Sequence, residues 1–397
     1  MRNRVQLWLS LLALALLLVA TQAGGSGVAA VLGALGATAG LLHLGKLKKA
    51  WVLALLVFTG WAALSSIWGP FPPSGTAWLL SPPALVVFGV VLYTLAARVL
   101  ESVGAVWPRR MQLVALGFAF AVGAVSLLNA ATEFALIFPF HPLAPGADPN
   151  LRLYDVARQV SRGVCVATLL AAPFAVGAFA RWGRPAGVLG LAYLGVLLAS
   201  AVYLRLWVVP LALAAVGVVC LLTWWKPKMG LRAAFSAAGA SVLLGPFFGL
   251  AANDVGADTL ARLPFSWEQR LRGWKEVWLR IGESPWIGNG FGTARTMDAR
   301  EMMRGFDLPL VSLHPHNAGL HIWLEAGAVG AALATLAVFE MWQVGERWAD
   351  RDRAVALAGV VAAGTVASAV SFGVWQHWWW ASLALAAALV SVMVPRR

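Results

Sequence analysis

Stretches of about twenty mostly apolar residues follow one another almost without pause from residue 5 to residue 394. Each is long enough to cross the ~30 Å hydrocarbon core of a bilayer as a helix. Twelve can be read: 5–22, 28–44, 50–67, 83–100, 111–131, 159–180, 185–203, 206–224, 230–251, 317–343, 354–373 and 377–394. Composition leaves no other solvent for them. The chain is 60% hydrophobic and 12% charged, against about 45–50% and about 25% for soluble domains. Disorder needs low hydrophobicity and is excluded. The expected fold is an all-α polytopic membrane protein of about 12 transmembrane helices, one membrane domain over 1–397. A loop of about 65 residues, 252–316, is inserted between spans nine and ten.

Charge orients the bundle. Eighteen of the 30 Lys and Arg fall in one alternating set of loops and ends, from Arg2 and Arg4 through Lys46, Lys48 and Lys49 to Arg396 and Arg397. The opposite loops 23–27, 68–82 and 374–376 carry none. The positive-inside rule therefore puts both termini in the cytoplasm. Arg2, Arg4 and Thr21-Gln22-Ala23 give the first span the look of a signal peptide, but at the head of a polytopic chain it is expected to stay as an anchor. The net charge of +13 invites a nucleic-acid reading. The cytoplasmic surplus accounts for it, so no nucleic-acid partner is expected. Cys165 and Cys220 both fall inside spans and are expected to pack rather than pair.

The other twelve basic residues lie outside, and eleven of them are Arg. Arg152, Arg158 and Arg162 precede span six, Arg205 sits at the turn between spans seven and eight, and eight more, from Arg262 to Arg304, lie in the long loop. Arg forks grip phosphate oxygens at two points, which Lys cannot do. Acids such as Asp148, Asp155, Glu268, Glu276 and Glu283 share these segments, so about a third of the twelve are expected to touch a ligand.

Within the loop, Phe265, Trp267, Leu271, Trp274, Val277, Trp278 and Ile281 recur near a 3.6-residue period. They predict a helix over 265–281, with Ser266 as its N-cap, lying aromatic face down in the outer interface. Pro285-Trp286-Ile287-Gly288-Asn289-Gly290-Phe291-Gly292 follows as a Gly-rich turn, and the loop closes on His314-Pro315-His316-Asn317. His314, His316 and His321 do not follow a familiar zinc spacing, and no metal is expected. Glu325 lies on span ten about 180° around from His316 and is expected to be structural, paired with an Arg.

His316-Asn317, nine residues, Gly327, two residues, Gly330 resembles the His-(Asn/Ser/Gln)-x9-Gly-x-x-Gly pattern of O-antigen ligases. Trp267 to Gly292 resembles the same family's Arg-containing helix followed by Pro-x-x-Gly-x-Gly-x-Gly, with Arg270 as the family arginine. Arg205 stands where the family has Ser-Arg, although Leu204 replaces the Ser. Ser161-Arg162-Gly163 resembles an Asn-Arg-Gly element at the start of span six, and Trp375-Gln376-His377-Trp378-Trp379 an aromatic element at the start of the last span. The resemblance covers the order of spans and most of 200–380.

It implies transfer of a polysaccharide from undecaprenyl diphosphate to lipid A–core, at the periplasmic face of a Gram-negative inner membrane. The implied catalytic residues are His316 and Arg270. Arg205, Arg270, Arg162, Arg158 and Asn317 are implied at the diphosphate and substrate, and Trp375, Gln376 and Trp378 as contacts for acceptor or lipid. The chemistry suits them. A diphosphate is already a good leaving group, so the reaction needs a base for the acceptor hydroxyl and fixed positive charge for the departing diphosphate. No metal or other cofactor is implied. Partners are the lipid-linked glycan, lipid A–core and membrane lipids. An O-antigen polymerase using the same donor is the nearest alternative. A transporter of an anionic lipid-linked substrate fits less well, because the Arg set lies at one face and no internal repeat is visible.

Overall fold

The computed structural model describes residues 2–23, 26–47, 49–72, 82–138, 149–348 and 350–395. Lys48, Asp148, Arg396 and Arg397, most of loop 68–82, and the side chains of Arg2, Lys46 and Arg152 lie outside this description.

The helices, in chain order, are α1 (Arg2–Gln22), α2 (Ser26–Thr38), α3 (Ala50–Leu64), α4 (Pro82–Val106), α5 (Pro108–Ala131), α6 (Pro149–Leu169), α7 (Ala171–Trp182), α8 (Ala186–Tyr203), α9 (Val208–Trp225), α10 (Pro227–Leu243), α11 (Gly245–Asn253), α12 (Ala257–Arg262), α13 (Phe265–Ile281), α14 (Ala318–Trp348), α15 (Arg351–Val370) and α16 (His377–Met393). The protein is all-α and polytopic, as expected.

Among the described residues, eight helices are long and apolar enough to cross a membrane, or ten if each of two bent pairs is one span. The two remaining expected spans are shorter apolar helices, over Gly27–Thr38 and His377–Met393. The first stops early because the chain tightens into a 3₁₀ segment over Gly40–Leu47.

Both bends have a proline cause. Pro173 cannot donate to the Leu169 carbonyl, and α6 and α7 meet at 46°. Pro246 cannot donate to the Val242 carbonyl, and α10 and α11 meet at 62°. The freed Val242 carbonyl accepts from the Trp323 indole at 3.0 Å instead. The second bend thereby fastens onto α14.

The main core holds Leu14 and Leu17 of α1, Leu100 of α4, Met111 of α5, Tyr193 of α8 and Leu389 of α16. A second, smaller core lies under the long loop. There Trp274, Val277 and Ile281 of α13 pack with Ala252 of α11 and with Leu320 and Leu324 of α14.

The 265–281 helix forms with the expected bounds, but two details differ. Its N-cap is Pro264, with no side-chain cap bond, so Ser266 does not cap it. Its aromatic face docks on protein rather than on lipid, with Trp274 edge-on to Phe248 at 5.9 Å. A two-stranded hairpin, β1 (Arg300–Met303) and β2 (Phe306–Pro309), was not expected. Arg304 and Gly305 both take positive φ in its two-residue turn, the conformation such hairpins require.

The Gly pair of α14 has a specific local role. Gly327 adopts φ 66°, ψ −166°, breaking the helical path. That break frees backbone groups on both sides, and the Gly-rich turn takes them up. Asn289 N–H donates to the Leu324 carbonyl at 2.8 Å and Gly290 N–H to the Glu325 carbonyl at 3.1 Å. In return Ala328 N–H donates to Pro285 at 2.9 Å and Val329 N–H to Trp286 at 3.1 Å. A Cβ on Gly327 would stand 2.4 Å from Gly288 N. Gly327→Ala is expected to cost about 1–3 kcal/mol from backbone strain alone, read as a lower melting temperature in detergent. An unchanged melting temperature would contradict this interlock.

Candidate active site

The site is built at the N-terminal start of α14. Asn317 caps the helix, its side-chain oxygen accepting from Leu320 N–H at 2.9 Å. Its amide nitrogen is buried without a partner. Two residues back, the Pro315 carbonyl accepts from the Trp274 indole at 2.7 Å, pinning the histidine segment to α13. Between them His316 takes φ 56°. A positive φ outside glycine is uncommon and concentrates at functional sites.

The His316 ring is oriented by the segment before α16. Its Nδ1 lies 2.8 Å from the Ser371 carbonyl. A carbonyl only accepts, so Nδ1 carries the proton and Nε2 holds the free lone pair. His314 stands edge-on at 4.4 Å between ring centroids. Its Nδ1 accepts from His316 N–H at 3.2 Å, which leaves the proton on Nε2. That nitrogen faces the Gln376 amide at 3.0 Å, and the amide oxygen is the group able to accept there. Only glycine fits at 373, since a Cβ would stand 2.8 Å from the His314 ring.

Electrostatics keep both rings neutral at pH 7. Burial first, and the Arg270 charge second, push the His316 imidazole down to about 4, against the opposing Ser371 hydrogen bond. His314 is held well below the usual histidine range by burial, then by its His316 and His321 neighbours and the charges of Arg270 and Arg162. His321 completes a row, its ring 6.3 Å from His314. The three rings do not converge as metal ligands, because the nitrogens of His314 and Nδ1 of His316 are already committed. Among the described residues no group of three metal-ligating side chains is found.

Two guanidinium groups act on this cluster. Arg270, on α13, donates to the Ser266 carbonyl at 3.1 Å and lies 5.7 Å from the Trp267 ring centroid. Its Nε is buried without a partner, and burial works against its charge. Arg162, on α6, lies 5.5 Å from the ring centroid of the buried Trp378. Neither is ion-paired among the described residues, unlike their neighbours. Arg158 pairs with Asp155, Arg280 with Glu283, Arg300 with Asp307, and Arg272 and Arg304 converge on Glu268. Apart from Arg158, the paired arginines brace the long loop. The unpaired two leave positive charge beside a neutral histidine.

Residues 207–335 match the O-antigen ligase family. The resemblance carried by the His motif is borne out over this segment, which includes Arg270, the Gly-rich turn, His316, Asn317, Gly327 and Gly330. A protein of Rickettsia bellii (strain RML369-C), provisionally named a polysaccharide ligase, is 33% identical over 130 residues. The matched stretch is 32% of this chain and 32% of that relative, so the chain spans about a third of its length. No solved structure matches. The likeness of the matched segment supports a ligase- or polymerase-type function in polysaccharide synthesis.

Arg158, Arg162, Arg205, Trp375, Gln376 and Trp378 fall outside the matched segment. The structure still brings four of them to the cluster: Arg162 with Trp378, Gln376 on His314, and Trp375, whose ring lies 6.1 Å from His321. Arg158 stands one helical turn before Arg162, near enough for its charge to act on it. Arg205 remains apart. It ends α8 as an exposed residue at φ 54°, and its side chain touches none of the cluster among the described residues. Ser371 escaped the sequence reading because its carbonyl does the work, whatever the side chain.

Glu325 corrects another expectation. Among the described residues it has no Arg partner. Trp375 Nε1 donates to Oε2 at 2.7 Å, Ala294 N–H donates to Oε1 at 3.0 Å, and His321 Nε2 lies 3.3 Å from Oε1.

Proposed function

We propose that this protein is an O-antigen ligase, transferring a polysaccharide from undecaprenyl diphosphate to lipid A–core at the periplasmic face of the inner membrane. One observation carries the reading: a neutral histidine with its tautomer fixed and Nε2 free, beside an arginine that has no carboxylate partner among the described residues. The acceptor hydroxyl gives its proton to His316 Nε2 while its oxygen bonds to the anomeric carbon. The bond from that carbon to the diphosphate oxygen breaks. Arg270 and Arg162 take the charge that gathers on the leaving diphosphate. His316 then sheds its proton to the diphosphate or to water, which its low pKa favours. Arg158 and Arg205 extend the positive path by which the donor arrives, and Asn317 holds the start of α14 in place. The scheme needs no metal, since arginines supply the charge.

Purified protein given lipid A–core and an undecaprenyl diphosphate glycan, with a chelator present, tests the reading. Glycan on lipid A–core is the expected product. Lengthening of the donor alone means a polymerase, and no product from either overturns glycosyl transfer. A Lys at 162 is expected to restore only part of the activity lost in Arg162→Ala, because the fork is lost. Full rescue by Lys would argue for simple charge.

A further inference from the structure

Donors to Glu325 come from three different segments. Ala294 belongs to the long outer loop, His321 to the first turns of α14, and Trp375 to the segment between α15 and α16. That last segment is short and also holds Ser371, the carbonyl that orients His316, and Gln376, which faces His314. Trp375 is its anchor. Its ring stacks on Phe58 at 5.6 Å and lies 5.6 Å from Phe291, while its N–H ends on Glu325. Glu325 itself is 1% exposed and sits in a helix of spanning length. A carboxylate in that position is costly unless its oxygens are filled by donors. Both oxygens have donors, Ala294 and His321 at Oε1 and Trp375 at Oε2.

We propose that Glu325 is a positioning residue for the reaction. It holds Trp375, and through it the 371–376 segment, in the register that keeps the Ser371 carbonyl on His316 Nδ1. Glu325 touches no substrate. Its part is to fix which His316 nitrogen carries the proton. The proposal rests on the reading of His316 as the base.

Chemistry separates a carboxylate from its amide here. Glutamine carries one oxygen and one NH₂, so it cannot accept at both positions. Placing its NH₂ toward Trp375 sets donor against donor, and the reverse does the same to Ala294 and His321. Trp375→Phe removes only the indole N–H and leaves the carboxylate and most of the ring stacking.

The test uses full-length protein in nanodiscs. Glu325→Gln, Trp375→Phe and the double variant are compared with the parent for kcat, for KM toward the lipid-linked donor, and for the His316 tautomer by ¹⁵N NMR. Each single variant is expected to lose about 10²-fold in kcat, as a displaced catalytic group does, with donor KM held within about twofold. The double variant is expected to be no worse than the poorer single one, since both break one link. The His316 signal should change from a fixed Nδ1–H form to a mixture. Losses that multiply in the double variant, or an unchanged His316 tautomer, overturn the proposal. If Glu325→Gln fails to fold, Trp375→Phe alone carries the same two readouts. Transfer that survives His316→Ala sinks the base assignment, whereas the tautomer readout still judges Glu325 by itself.

Discussion

His316→Ala is expected to lower glycan transfer by about 10²–10⁴-fold while folding and membrane insertion stay normal. Removing the imidazole takes away the ring whose free Nε2 can meet a hydroxyl. His314 cannot substitute, because its Nδ1 accepts from His316 N–H and its Nε2 faces Gln376. Nor can His321, which sits deeper against Glu325 at 4% exposure. The structural loss should be small. The His316 side chain makes one described hydrogen bond, to Ser371, and the cap of α14 belongs to Asn317. Transfer is read as glycan-bearing lipid A–core on a gel, and folding as an unchanged elution profile and melting temperature. Wild-type activity in the variant would remove His316 from the chemistry.

Arg270→Ala should cost about 10²–10³-fold in kcat, the usual effect of removing one donor to developing charge. Arg270 is placed for this by α13, whose buried stripe of Trp274, Val277 and Ile281 holds the helix against α11 and α14. Its buried Nε lacks a partner, a donor held ready for an oxygen that the free protein does not supply. Arg270→Lys should fall between wild type and Ala, since an ammonium keeps the charge but loses the second contact. A second effect follows from the same geometry. Removing the Arg270 charge removes one of the causes that lower the His316 pKa, so His316 should titrate higher in Arg270→Ala. No loss of kcat in that variant would contradict the clamp.

Much of this was legible in the sequence because lipid imposes simple rules. Apolar length marked the helices, and the aromatic period marked α13 to the residue. Bends were hidden. Pro173 and Pro246 were visible, but the acceptor that makes the second bend useful is supplied by Trp323, which is far away in the chain. The glycines at 327 and 330 were visible as the end of the His motif. Gly327 breaks the helix so that the Gly-rich turn can dock, a pairing between two motifs that neither reveals alone. His316 and Arg270 were found through the motifs and stand together in space. Arg205 was found in the same way and stands apart, because a turn residue's reach depends on tertiary placement. Glu325 was noticed as a buried charge, but its partners come from indole and backbone N–H groups, and no charge pattern points to those.

A pH profile of kcat/KM tests the His316 base most directly, because it reports the free enzyme's essential groups. The base must be neutral to act, so activity falls as pH drops through its pKa. With His316 lowered to about 4, activity should stay level from about pH 8 down to about pH 5 and fall only below that. The limb should move upward in Arg270→Ala. An acidic limb near the ordinary histidine value of about 6.5, unmoved by Arg270→Ala, would contradict a buried His316 base beside an arginine.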